Sequence, residues 1–260
     1  MSKKLTIFGE GCVKGGDFNK VLIFGDGVIQ TDVTADKIKV FGLATFNGVV
    51  KANEVLVYGE VEFNAGIHCQ RLKIYGTAIF KKEAVIEQAV VCGEGAFLEK
   101  AIIHKVKNMG AINMHDVFIS KEMKSYGTLQ GIGTLKVETL NSLGILAIRG
   151  EVEGEKLKMK GIVKDITLIN GENIAMILGE TCHCQSIGAS SLVVKPSLKY
   201  RMLPFKHQGK APLLLAQEIE GDLIEVIRTQ AKVIRGDRVK IGAHSRIDRV
   251  EYLSSVEVDE

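Results

Sequence analysis

The sequence predicts an all-β fold, a three-sided parallel β-helix solenoid with about 17 residues per coil and roughly 12 coils. Residues 38 to 122 divide into five consecutive blocks of 17 that align without a gap, each with glycine at its fifth place. The same spacing continues on both sides of these blocks. Within each block, apolar residues alternate with other residues over short stretches. Self-similarity at a fixed short period is typical of repeat architectures.

The glycine column is the most regular element of the repeat. It runs over nine blocks as Gly25, Gly42, Gly59, Gly76, Gly93, Gly110, Gly127, Gly144 and Gly161. Each glycine follows the first apolar stretch of its block, where the chain must turn a corner. Glycine permits a positive φ and a close approach of two backbones. We therefore predict that these residues are structural corner glycines.

Apolar columns define the core. Apolar residues favour the first, third, seventh, ninth and thirteenth places of a block. Because successive side chains of a strand point to opposite faces, this alternation predicts three short strands per block. The ninth place is predicted to form a ladder along the axis, made of Phe46, Phe63, Phe80, Phe97 and Met114. Enrichment in Val, Ile and Phe disfavours a helical repeat.

Towards the C-terminus the columns become less regular. Polar or small residues enter core columns at Asn108, Ser125, Ser142, Gly131 and Asp165, which indicates narrowing coils or a bound water. The first coil, residues 5 to 20, is slightly short, and the coil that begins at Ile174 slips because Gly179 arrives one residue late.

Three segments follow from these patterns: a main β-helix at 1–194, a basic inserted loop or linker at 195–218, and C-terminal coils with an acidic tail at 219–260. In the last segment, apolar residues 17 apart are predicted to stack as Ile224 on Ile241, Val233 on Val250, and Val239 on Val256.

The basic segment allows two interpretations. Within it, residues 195 to 210 carry Lys195, Lys199, Arg201, Lys206 and Lys210, interleaved with apolar residues such as Phe205 and without any acid. This mixture suits an anionic membrane surface, where each basic group contributes about 1 kcal/mol. The alternative is a solvated loop whose apolar residues pack on the flank of the solenoid.

Composition and charge exclude other classes. With 34 basic and 31 acidic residues, the net charge of +3 gives no footprint for nucleic acid. No run of about 18 apolar residues is present. Because the repeat begins by Leu5, no secretory signal is expected, and the five cysteines are interpreted as reduced thiols in the cytoplasm.

Signals for catalysis are weak, and neither an enzyme nor a cofactor is predicted. No P-loop motif accompanies the repeat glycines. Cys182, His183 and Cys184 form one dense cluster of soft ligands, and His207 would make a fourth zinc ligand. A C-x-C pair without a second knuckle is a weak zinc signal, so these are interpreted as residues of the slipped coil.

The repeated V-x-V-[FY]-G-x-[AV]-x-F coil, the basic interruption and the ending EIEGDLIEVIRTQAKVIRGDRVKIGAHSRIDRVEYLSSVEVD resemble the bactofilin, or polymer-forming cytoskeletal, family in its long Gram-positive form. The resemblance covers nearly the whole chain. It implies a right-handed triangular β-helix, nucleotide-independent nonpolar filaments, a cytoplasmic scaffold that organises cell shape or envelope proteins, and frequent membrane association. The chain departs from a minimal member in having about twice the coils and no clear N-terminal hydrophobic peptide.

The ends of the repeat suggest self-assembly. A solenoid needs polar capping repeats, because a terminal coil otherwise presents an open strand edge and an open core. The first coil begins at Leu5 and the last ends at Val256, which leaves little room for a cap. The expected partner is a second copy of the chain or a paralogue, through an interface made of Leu5, Ile7, Phe8, Val250, Tyr252, Leu253 and Val256.

Two alternatives stay open. The end residues could simply complete the core, with Lys3, Lys4 and the acidic tail keeping copies apart. The runner-up for function is a left-handed β-helix acyltransferase of the hexapeptide type. Such an enzyme is also triangular, but its coil is three strict hexapeptides, and the blocks of this chain lack that pattern.

Overall fold

A computed structural model describes residues 3–197 and 211–259, and in this part of the chain the regular structure is β-strand without helix. It confirms a parallel β-solenoid with coils about 17 residues apart, and its turns number about 14 against the 12 predicted. The chain divides into two compact units, Met1–Gly133 (unit 1) and Thr134–Glu260 (unit 2).

The strands follow one another along the chain without interruption by other regular elements in the described ranges. They are β1 (Lys4–Ile7), β2 (Glu10–Val13), β3 (Gly16–Ile23), β4 (Asp26–Ile29), β5 (Val33–Val40), β6 (Leu43–Phe46), β7 (Val50–Val57), β8 (Glu60–Phe63), β9 (Ile67–Ile74), β10 (Thr77–Phe80), β11 (Ala84–Val91), β12 (Glu94–Phe97), β13 (Ala101–Asn108), β14 (Ala111–Met114), β15 (Phe118–Ser125), β16 (Thr128–Ser142), β17 (Ile145–Leu178), β18 (Cys182–Pro196), β19 (Leu214–Val226), β20 (Thr229–Ile241) and β21 (Arg246–Val258).

A coil of unit 1 contains two strands, one of eight residues and one of four, rather than the three short strands predicted. The eight-residue strand carries two of the three inward-facing stretches. In β5 the alternation of buried and exposed residues changes phase at Asp36 and Lys37, and pairing with β7 skips Asp36. The bend there is mild enough to keep the strand continuous. Each coil is therefore interrupted at two places, the glycine corner and the turn before the next long strand.

Register in unit 1 follows the sequence period. Parallel pairing joins residues 17 apart, as in Val33 with Val50, and the first coil is one residue shorter, with Lys4 opposite Lys20. A constant offset stacks identical places of successive coils, so every column predicted from the period becomes a row of neighbouring side chains.

The inner aromatic ladder is confirmed. Ring centroids are 5.3 Å apart for Phe46 and Phe63, 5.1 Å for Phe63 and Phe80, and 4.5 Å for Phe80 and Phe97, with nearly parallel planes. All four rings are fully buried, as is Met114, which takes the next place. The column ends at Gly131, because a Cβ there would lie 1.8 Å from the carbonyl oxygen of Met114.

The corner glycines are required by close backbone approach. A Cβ on Gly59 would lie 2.0 Å from the carbonyl oxygen of Gly42, and the other members from Gly25 to Gly127 have equivalent contacts at 2.0 to 2.4 Å. The other predicted reason, a positive φ, is wrong for this run. Among the nine corner glycines only Gly161 has a left-handed φ, at 127°.

Polar residues in the core columns have distinct roles. Asn108, Ser125 and Ser142 are buried, and Asn108 is hydrogen-bonded directly to Ser125. Asp165 is not part of the core. It is exposed and adopts a φ of 62°, so the chain turns outward at this place of β17.

Register in unit 2 varies from coil to coil. The predicted slip is confirmed, because Ile174 of β17 lies opposite Leu192 of β18, one place beyond the residue that the regular period would put there. Between β19 and β20 the offset falls to 15, with Ile224 opposite Val239, so the predicted stacking of Ile224 on Ile241 is wrong. A shift of two residues keeps every side chain on the same face, and alternation therefore cannot distinguish an offset of 15 from one of 17.

The last pair of strands contains a β-bulge. Val233 lies opposite Arg249 rather than Val250, and the register shifts between Gly236 and Arg238. After the bulge Val239 lies opposite Val256, as predicted. The extra residue on β21 returns the offset from 16 to 17.

Candidate interaction surfaces

The face of β21 that continues the core of unit 2 is open. Four aliphatic residues of β21 continue buried columns of β20. They are Ile247 opposite Ala231, Val250 opposite Ile234, Val256 opposite Val239, and Val258 opposite Ile241. The β20 members are buried, whereas Ile247, Val250 and Val256 are half-buried and Val258 is 68% exposed. Among residues 3–197 and 211–259, no polar layer covers the core residues that the coil containing β21 presents.

Two other predicted interface residues lie at the bulge of β21. Tyr252 is opposite Gly236, and Leu253 follows it within the bulge, between the pair Gly236–Tyr252 and the pair Arg238–Ser255. Both line a groove with Gly221 and Gly236, and Leu253 is 87% exposed. They stand beside the open core face rather than in its columns.

In the first coil of unit 1, two aliphatic residues begin the core columns of that unit. Leu5 lies opposite Val21 and Ile7 opposite Ile23, and both partners are fully buried. Leu5 is half-buried and Ile7 is buried. Phe8, the third predicted residue at this end, is 77% exposed and lies on the outer surface, stacked on Phe24.

An outer aromatic ladder, which we did not predict, begins at Phe8. Phe8, Phe24, Phe41, Tyr58 and Tyr75 occupy the place immediately before the corner glycine in five successive coils. Their ring centroids are 4.9 to 5.1 Å apart, and neighbouring planes differ by 2 to 5°. Each ring nevertheless keeps 41% or more of its surface exposed. The sequence signal that could have predicted this ladder is the repeated [FY]-G dipeptide.

Charged columns flank this ladder on both sides. Two places before a ladder residue, the outer surface carries Lys39, Lys73, Lys107 and Lys124. Two places after a ladder residue, the outer surface carries Glu10, Asp26, Glu60 and Glu94. Because the chain crosses the ladder in the same direction in every coil, one flank is basic and the other is acidic.

The structure locates only part of the basic segment. Lys195 belongs to β18, and its Nζ lies 3.0 Å from a carboxylate oxygen of Glu225. Strand β19 already begins at Leu214, so both margins of the predicted loop are strand. Lys199, Arg201, Phe205, Lys206 and Lys210 lie outside the described residues. No helix in the described ranges is long and apolar enough to cross a bilayer.

The Cys-His-Cys cluster is split between the two faces of β18. Cys182 and Cys184 are buried and His183 is exposed, so alternation separates the thiols from the imidazole. Burial raises the pKa of Cys182, and it raises the pKa of Cys184 to about 12. Thiols held neutral in this way are poor metal ligands. No group of metal-ligating side chains was found among the described residues, and His207 lies outside them.

These features define a parallel β-solenoid with an open core face and an outer aromatic ladder. No protein-family model matches the chain, and no solved structure matches it. It is similar to the uncharacterized protein YhbE of Bacillus subtilis (strain 168), with 37% identity over 87 residues. That alignment covers 33% of this chain and 35% of YhbE, so the chain spans about a third of the length of this curated relative.

Proposed function

We propose that the protein is a non-enzymatic cytoplasmic scaffold that assembles end to end into filaments without nucleotide. The observation that carries the proposal is the open core face on β21, where Val250, Val256 and Val258 continue buried columns of β20. Apolar surface of this kind is removed from water most simply by another coil with the same columns.

The first coil of unit 1 has the matching property. Leu5 and Ile7 continue columns whose next members are fully buried. When β1 of one copy meets β21 of another, aliphatic columns meet aliphatic columns and strand edges meet strand edges. Unpaired edges are templates for pairing with another chain, which favours continuation of the solenoid between copies.

The resemblance of the repeat to the polymer-forming cytoskeletal family supports assembly into filaments. It implies nonpolar filaments, whereas the junction of β1 with β21 proposed here gives the filament a direction. Filaments of this kind would organise cell shape or envelope proteins, and the basic residues of 195–210 would allow peripheral contact with an anionic membrane. Coils about 17 residues apart do not divide into three hexapeptides, which supports a scaffold over an acyltransferase of the hexapeptide type.

Electron microscopy of the purified chain in nucleotide-free buffer tests the proposal. The native chain is expected to form smooth filaments. Val258→Glu is expected to leave monomers or short oligomers, because a carboxylate would have to be buried at the junction between copies. Since Val258 is 68% exposed, the substitution should leave folding intact.

Val85→Glu is the matched control. Val85 is a half-exposed valine of β11, on the outer surface of a coil inside unit 1. This variant should form filaments like the native chain, and both variants should give the native circular dichroism spectrum. A native chain that stays monomeric at all concentrations, or forms a uniform population of compact trimers, would contradict the proposal.

A further inference from the structure

The outer aromatic ladder leaves a large apolar surface in water. Its eight places are Phe8, Phe24, Phe41, Tyr58, Tyr75, Cys92, Met109 and Tyr126, and Leu43 lies beside them. Six of the eight are between 41 and 48% exposed, although the five rings from Phe8 to Tyr75 stack on one another. Stacking within one copy therefore buries only about half of each side chain.

The exposed area is large enough for a stable interface. A Phe or Tyr side chain has about 150–250 Å² of surface, so the exposed portions of the ladder and Leu43 sum to roughly 750 Å². Monomeric proteins seldom expose contiguous apolar patches of this size, and stable interfaces bury about 800 Å² per partner. The ladder alone supplies nearly that area.

The flanking charges favour a second copy of the chain as the partner of the ladder, and they determine its direction. Two copies can face each other, ladder on ladder, by rotation about one of two axes. Rotation about an axis along the ladder leaves the two chains parallel and sets the basic flank of each against the acidic flank of the other. Rotation about the perpendicular axis makes them antiparallel and sets lysine against lysine. Like charges across an interface are unfavourable, so the parallel arrangement is selected.

In the parallel arrangement, identical coils face each other. Lys39 then lies one coil from both Asp26 and Glu60 of the second copy, and Lys73 lies one coil from both Glu60 and Glu94. One coil is about 4.8 Å along the axis, which a lysine side chain spans easily. Lys39 and Lys73 are thus each placed between two carboxylates, whereas Lys107 lies one coil from Glu94 alone and Lys124 has no acid at this place in the neighbouring coils.

We propose that unit 1 pairs side by side with unit 1 of a second copy, in parallel and in register, through the outer aromatic ladder. This contact lies on the side of the solenoid and is independent of end-to-end assembly. It would give the protein a paired form whose two members point in the same direction.

Cys92 allows a direct test, because it is a half-exposed member of the ladder at the sixth of its eight places. Parallel pairing sets Cys92 against Cys92, whereas antiparallel pairing sets it against the third member, Phe41. Cys12→Ser removes the exposed thiol of Cys12 and leaves Cys92 as the accessible one, since Cys69, Cys182 and Cys184 are buried. In this background a short bis-maleimide is expected to give a dimer in at least half of the chains, and Cys92→Ser should abolish it.

A second variant, Cys12→Ser with Phe41→Cys, distinguishes the directions by mass spectrometry of the cross-linked peptides. Because it removes one ladder ring, its yield of dimer is expected to be lower, and the absence of a dimer is judged on Cys12→Ser alone. Links joining 41 with 41 and 92 with 92 support the proposal. Links joining 41 with 92, a monomer without links, or ladder-dependent binding to anionic phosphatidylglycerol vesicles in place of dimerisation would overturn it. Repeating the reaction in Val258→Glu separates the two proposals, because side-by-side links should persist when filaments are lost.

Charge reversal tests the flanks. Lys39→Glu with Lys73→Glu is expected to weaken dimerisation about tenfold, since like charges then oppose each other across the contact. Adding Asp26→Lys, Glu60→Lys, Glu94→Lys and Lys107→Glu to the same chain reverses both members of every opposite-charge pair across the contact and should restore the native dimer. Equal dimerisation of all three chains would overturn the assignment of direction.

Discussion

Asn108 and Ser125, 17 residues apart and both fully buried, are joined by a hydrogen bond of 3.0 Å from Asn108 Nδ2 to Ser125 Oγ. The same Nδ2 donates to the carbonyl oxygen of Thr128 at 2.8 Å, and the backbone N–H of Gly110 donates to Asn108 Oδ1 at 3.1 Å. A polar side chain in a core column is therefore accommodated by partners on its own coil and the next.

Loss of this polar contact should destabilise the fold. In Asn108→Ala the buried Ser125 hydroxyl and the Thr128 carbonyl each lose a hydrogen bond, while the Gly110 amide keeps its bond to the Val91 carbonyl at 3.1 Å. This loss should lower the free energy of unfolding by about 1–3 kcal/mol. Urea unfolding followed by circular dichroism measures the change. Asn113→Ala is the control on the outer surface, with an expected loss of less than about 0.5 kcal/mol. Equal losses in both variants would show that the buried hydrogen bonds of Asn108 contribute no more to folding stability than a side chain on the outer surface.

Alanine in the glycine column should be poorly tolerated. Gly59→Ala places a Cβ 2.0 Å from the carbonyl oxygen of Gly42, a backbone atom that cannot move without displacing its coil. We expect a loss of about 3 kcal/mol or more in the free energy of unfolding, measured by urea titration. Gly9→Ala meets no atom within 4 Å and should be nearly neutral. A native-like midpoint for Gly59→Ala would refute the role of close approach.

The two aromatic ladders should respond differently to truncation. Phe80→Ala removes a fully buried ring and should cost about 3–5 kcal/mol of folding stability. Phe41→Ala removes a ring that is 41% exposed and should cost about 1–2 kcal/mol, while reducing the cross-linking of Cys92. Thermal unfolding and cross-linking of the same samples measure both effects. Comparable stability losses, with cross-linking unchanged, would contradict the division into a core ladder and an interaction ladder.

Two buried thiols should make stability depend on alkaline pH. Burial raises the pKa of Cys69 to about 12 and that of Cys184 to about 12, from an ordinary value of 9.0. Between pH 9 and pH 12 these thiols ionise in the unfolded chain and stay neutral in the folded chain. Their contribution is therefore complete below pH 9 and is lost as the pH rises towards 12.

Urea midpoints at pH 8 and pH 10.5 test this dependence. The native chain should lose about 2 kcal/mol per thiol more than Cys69→Ala with Cys184→Ala over this interval. The comparison with the double variant removes the contribution of all other groups to the pH dependence. Parallel pH profiles for the two chains would exclude a role for the buried thiols.

Periodicity was sufficient to predict the features that repeat without variation. The inner ladder from Phe46 to Phe97 and the close stacking of glycines such as Gly42 and Gly59 follow from one constant offset, because equal places must become neighbours. The two-strand coil was missed, since the bend at Asp36 is too gentle to interrupt a strand and leaves no glycine or proline as a signal.

Features that depend on corner geometry were harder to predict. The residue before a corner glycine, such as Phe41 or Tyr58, can point into the core or out of it, and the backbone of the corner decides which. In unit 2 the corners gain or lose residues, so Ile224 meets Val239 instead of Ile241. Val258 was not predicted at the open face, because its place in the register depends on the bulge after Gly236.

Sedimentation of the purified native chain in nucleotide-free buffer that contains a chelator tests the central claim most directly. If the open face on β21 receives the first coil of another copy, most of the protein should pellet at high speed above a critical concentration. Val258→Glu should then remain in the supernatant at that concentration, while Val85→Glu pellets like the native chain. A native chain that sediments as a 28.3 kDa monomer or a single small oligomer at every concentration would contradict end-to-end assembly.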